Sequence, residues 1–70
     1  VAGRQVAARV EEALAPLPER AVAVFRRSRI DGVTQRVIAG EFGVSISTVE
    51  SDLRLVYRAL AELRERLDEV

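Results

Sequence analysis

The sequence predicts an all-α domain of four helices, the last one long. Three observations carry this. Apolar residues recur at helical spacing in four stretches, and no stretch shows the alternation of a strand. Short breaks with turn chemistry separate the stretches: Pro16-Leu17-Pro18, Asp31-Gly32 and Gly43-Val44-Ser45. From Val49 onward one apolar stripe, Val49, Leu53, Val56, Leu60, Leu63, Leu67 and Val70, alternates by fours and threes to the end of the chain.

Residues 4–15 form the expected first helix, with Val6, Val10 and Leu14 on one face and Arg9, Glu11 and Glu12 on the other. Pro16 ends it, because the residue before a proline is pushed out of the helical region. Pro18 fits the first turn of the second helix, where its missing N–H costs nothing. Glu19 then faces the positive helix terminus. The second helix runs from Glu19 to about Ile30 on Ala21, Val22, Val24 and Phe25. Arg20, Arg26, Arg27 and Arg29 cluster around it without acids close by in the sequence, a pattern that is either a solvated face or a patch for phosphate or an acidic partner.

Asp31-Gly32 turns the chain and Thr34 caps a third helix ending at Phe42. Gly43 follows, where a left-handed residue ends a helix most easily. Ser45 can cap the fourth helix through the N–H of Thr48, and Ser47 with Glu50 offers an alternative capping box. Small Ala39 marks a close crossing, and Ile38, Phe42, Val44, Val49 and Leu53 supply an apolar wedge. That is a helix-turn-helix at the C-terminal side of the domain, the arrangement that sets its second helix in a DNA major groove; an αα-hairpin that merely packs is the plain alternative. The last helix, Ile46 to about Asp68, is ~34 Å long at 1.5 Å per residue. Its back half is expected to pack on Val6, Val10 and Leu14, with Arg58, Glu62 and Arg66 paired along its exposed flank.

The 70 residues make one small domain, whose core rarely supplies more than ~3–5 kcal/mol net. Beginning at Val1, the chain reads as a fragment of a longer one, with residues 1–70 a single domain. No Cys and no His exclude disulfides and thiol, imidazole or zinc chemistry, so no metal or cofactor is expected. No apolar run approaches the ~20 residues of a membrane helix. No phosphate-cradling glycine loop, carboxylate pair or nucleophile–base set occurs, so enzymatic function is not expected. Net charge is zero, yet residues 1–30 carry six arginines against three glutamates, residues 31–58 three against four acids, and residues 59–70 two against four. All eleven cations are arginine, which favours bidentate phosphate or base contacts, although a GC-rich coding sequence accounts for it equally.

Leu17-Pro18, Phe25, Asp31-Gly32-Val33-Thr34-Gln35, Ile38-Ala39 and the run from Phe42 to Glu50 together resemble region 4 of bacterial sigma factors. Within these they resemble the extracytoplasmic-function group, iron-uptake and cell-surface-signalling type. The resemblance covers about Leu14 to Leu60. It implies recognition of the promoter −35 element as a duplex, often GGAA-like, contact with the β flap of RNA polymerase core, and sequestration by an anti-sigma factor. It also implies a cytoplasmic protein serving a stress or uptake regulon, and a monomer. Transferred to this sequence, Ile46, Ser47, Glu50, Ser51 and Arg54 face the bases, with Arg54 suited to guanine and Glu50 to a cytosine amino group. Arg20, Thr34, Arg36 and Thr48 are the expected DNA-backbone contacts. Two positions depart from the pattern: Val37 stands where the family usually has Glu, and Val22 where it usually has Arg. Two rival readings are a response-regulator-type output domain and a module that binds only polymerase or an anti-sigma factor.

Overall fold

The computed structural model describes residues 2–68, and Val70 of the apolar stripe lies outside them. It contains α1 (Ala2–Leu14), α2 (Glu19–Arg29), α3 (Gln35–Phe42) and α4 (Ile46–Asp68). The described residues include no strand, so the all-α expectation holds. The helix ends lie within two residues of the expected ones, the usual latitude of fraying termini.

Backbone chemistry sets the connections. Pro18 takes the N-cap position of α2 rather than its first turn, with φ −55° and ψ 139°. Arg26, Arg27 and Arg29 lie in the last turn of α2, favourable against the negative end of the helix dipole. Gly32 turns the chain at φ 69°. The Thr34 hydroxyl then accepts the Val37 N–H at 3.4 Å, which caps α3.

Two apolar clusters lie against α4. Val24, Ile38, Ala39, Val49 and Leu53 form the first, with Phe25, Val33, Phe42 and Val44 packed around it. This contains the expected wedge and adds α2 to it. Leu14, Ala21 and Val56 form the second, with Val10, Leu17, Val22 and Leu60 among their neighbours. Helix α4 thus serves as the spine of a particle 40 × 19 × 17 Å in extent.

Two expectations need correction. Val6 is 46% exposed, whereas Leu14 is buried. Neither apolar cluster reaches Val6, so only the C-terminal half of the α1 stripe is enclosed. Arg58, Glu62 and Arg66 form no ion pairs among the described residues. They stand in water, where a pair gains a few tenths of a kcal/mol and loses side-chain entropy.

Candidate nucleic-acid interface

The start of α4 is fixed by its own turn. Gly43 adopts φ 66°, ψ 33°, and its N–H meets the carbonyl of Gly40. The Val44 N–H reaches the Ala39 carbonyl at 3.0 Å, closing the end of α3. Ser45 Oγ accepts the Thr48 N–H at 3.1 Å, so Ser45 rather than the Ser47–Glu50 box caps α4. Ala39, 7% exposed, lets α3 approach α4 closely. These local interactions decide which way the first turns of α4 face.

At about 100° per residue, Ile46, Ser47, Glu50, Ser51 and Arg54 share an arc of about 140°. All five are exposed. The buried side of the same helix, Val49, Asp52, Leu53, Val56 and Leu63, occupies a separate arc of about 100°. The sequence-derived base-contact set is therefore one continuous outward stripe. Ile46 is 44% exposed with its apolar side chain at the helix tip. Arg54, 73% exposed, stands 3.8 Å from Glu50, a long and solvated pair that opens at little cost.

The expected backbone contacts fare unevenly. Arg36 is exposed on α3 and forms no ion pair among the described residues. Thr34 Oγ1 is used as an acceptor for the α3 cap and keeps its hydroxyl proton for a further partner. Thr48 Oγ1 lies 3.1 Å from Ser45 Oγ and is half-buried within the cap. Arg20 donates from Nε to Asp52 Oδ2 at 2.9 Å and from Nη2 to Oδ1 at 3.4 Å. Asp52 is 6% exposed on the core side of α4, so this bridge locks α2 to the spine and leaves Arg20 with fewer free donors.

The arginine cluster of α2 is not the acid-free patch that sequence proximity implied. Arg26 pairs with Glu11 at 3.0 Å. Arg27 donates to Asp31 at 3.1 Å and, from Nε, to Glu41 at 3.0 Å. The Arg27 hydrogen bonds hold the Glu41 carboxyl below its ordinary value of 4.5. Glu11 and Glu41 arrive from α1 and α3, beyond the reach of local sequence, whereas Asp31 stands only four residues after Arg27. Arg29 differs: its Nε donates to Tyr57 Oη at 2.8 Å, and its guanidinium carbon lies 5.2 Å from the ring centroid. Asp52 and Tyr57 are the two residues of this region that sequence reading left without a structural role. Only their breaks in the exposed and apolar patterns of α4 signalled them.

Val37, 50% exposed, leaves an apolar side chain where the family pattern places Glu. Val22 lies in an apolar groove of about 380 Å³ between α1 and α2, with Leu14, Leu17 and Ala23.

A short helix, a glycine turn and a capped helix with an exposed mixed polar stripe define a helix-turn-helix DNA-binding module. Its particular kind follows from comparison with known families. The family described as Sigma-70, region 4 matches residues 7–63, and the chain belongs to that family. No curated protein and no solved structure matches it. As a sigma region 4 domain it is a DNA-binding, promoter-recognising part of the transcription-initiation machinery, with promoter DNA and RNA polymerase as partners. The family is not a catalytic one. No helix among the described residues is long and apolar enough to cross a membrane.

Proposed function

We propose that the chain is the −35-reading domain of an extracytoplasmic-function sigma factor of the iron-uptake, cell-surface-signalling type. In this reading it is one domain of a longer cytoplasmic protein, acts as a monomer, and directs polymerase to a stress or uptake regulon. The single observation that supports the promoter-reading role is the outward stripe of Ile46, Ser47, Glu50, Ser51 and Arg54 on α4, while the subtype rests on the resemblance of the Phe42–Glu50 run. Arg54 bonds guanine O6 and N7, Glu50 accepts from a cytosine amino group, and Ser47 and Ser51 contact bases or adjacent phosphates. Arg36 and the Thr34 hydroxyl contact the DNA backbone, with Arg20 and Thr48 contributing what their internal bonds leave free.

The groove between α1 and α2 supports the polymerase side of this reading. It presents Leu14, Leu17, Val22 and Ala23 between charged rims, a fit for an apolar segment of the β flap or of an anti-sigma factor. Attachment there makes DNA binding effectively intramolecular, so the domain alone needs only weak affinity. The family match favours this reading over a response-regulator output domain.

Fluorescence anisotropy of a labelled GGAA-type duplex against a scrambled one, across a salt series, tests it. Preference for the element, binding that falls steeply with salt, and loss of the preference in Arg54→Ala are expected. Equal binding of both duplexes by the unsubstituted chain, or a nanomolar salt-insensitive complex, would refute the assignment.

A further inference from the structure

Arg29 is set apart from the other arginines of α2. Arg20, Arg26 and Arg27 each meet a carboxylate, whereas Arg29 forms no ion pair among the described residues and leans on Tyr57. Tyr57 in turn is held by Phe25, edge to face at a centroid distance of 6.0 Å and an angle of 82°. The guanidinium is thereby steadied by a hydrogen bond and a ring contact, with both Nη groups unclaimed by any acid among the described residues. Because Tyr57 Oη accepts from Arg29, its own proton remains available to donate. Arg29 thus brings free donors and a charge that no carboxylate among the described residues pairs, beside the loose Glu50–Arg54 pair.

Tyr57 also lies in the right place. By helix rotation it falls between Ile46 and Glu50 in azimuth, within the arc of the base-facing stripe, and about one turn beyond Arg54. It lines the same shallow groove as Gln35, Glu50 and Arg54. It stands eleven residues beyond Ile46 on α4, ~16 Å at 1.5 Å per residue, past the N-terminal turns whose side chains meet base edges in such modules.

We propose that Arg29 and Tyr57 form a phosphate clamp, binding one phosphodiester of the promoter duplex at the edge of the recognition helix. Arg29 supplies paired N–H donors and the charge; Tyr57 aims the guanidinium and adds its hydroxyl. A fixed planar fork suits phosphate oxygens and loses less freedom on binding than an unsupported side chain. The clamp rests on the promoter-reading assignment above, and it contributes affinity without choosing a sequence.

The test compares the chain with Arg29→Gln and Tyr57→Phe on the GGAA-type and scrambled duplexes, by anisotropy from low to moderate salt, with circular dichroism to confirm folding. Arg29→Gln is expected to weaken both duplexes by the same factor. The slope of log affinity against log salt should become shallower by about 0.9, the value of one lost phosphate contact. Tyr57→Phe, which keeps the ring, should weaken both duplexes equally and by a smaller factor than Arg29→Gln. An unchanged slope in Arg29→Gln, or a loss confined to the GGAA-type duplex, overturns the clamp while leaving promoter reading intact. A shallower slope in a chain that prefers neither duplex upholds the clamp and overturns promoter reading. A chain that binds no duplex even at low salt overturns both.

Discussion

Arginine chemistry in this domain is decided by what each guanidinium meets across helices. Arg27 bridges α2 to Glu41 of α3 and to Asp31 in the turn between them. Its hydrogen bonds lower the Glu41 pKa below 4.5, partly opposed by the loss of solvent around the carboxylate. A carboxylate depressed in the folded state stabilises the fold above its unfolded value. That contribution is complete above about pH 4.5 and disappears as pH falls through the lowered folded value. NMR titration of the Glu41 side chain should therefore show a midpoint below the ordinary glutamate range, and Arg27→Gln should move it back up. A midpoint unaffected by Arg27→Gln would show that the bridge does not persist in solution. Bridges between helices were hard to read in the sequence for a physical reason. The capping partners of Thr34 and Ser45 lie three residues away and follow from local rules, whereas Asp52 and Tyr57 meet arginines 32 and 28 residues earlier. Only the packing of α2 on α4 brings those pairs together.

Among the elements, the turn between α3 and α4 has the largest consequence for its size. Gly43 sits in the left-handed region, and a Cβ built there meets nothing within 4 Å. A substitution consequently acts through backbone strain alone. Gly43→Ala should cost about 1–2 kcal/mol, which for a domain of this size lowers Tm by roughly 5–15 °C. Gly43→Asn should cost less, since Asn tolerates that conformation. Thermal melts followed by circular dichroism distinguish the two; equal melting of Gly43→Ala and the parent would mean that the turn relaxes at no cost. This turn was legible because a glycine directly after an apolar helical run is the commonest way for a helix to end in a left-handed residue. The α1 stripe was legible only in part. Its periodicity was correct for Leu14 and Val10, but periodicity cannot say where a partner surface stops, and Val6 lies beyond both clusters.

For the whole molecule, the small core and the exposed reading stripe separate stability from recognition. Ile38 is fully buried between α2, α3 and α4, in contact with the cluster that holds the recognition helix in place. Removing most of its side chain in Ile38→Ala should cost about 2–5 kcal/mol. A domain of this size has only about 3–5 kcal/mol to lose. Ile38→Ala should thus be largely unfolded near physiological temperature, with helical signal and duplex binding lost together, although Ile38 lies in the core and has no place in the reading stripe. Arg54→Ala removes an exposed side chain whose one close partner is a loose pair at 3.8 Å, so its helical signal and melting should match the parent while sequence preference is lost. Parallel melts and duplex titrations of these two variants give opposite patterns if the fold acts as a frame for an independent stripe. A fully folded Ile38→Ala that still fails to bind would instead place Ile38 in the recognition mechanism, and the separation between frame and stripe would have to be abandoned.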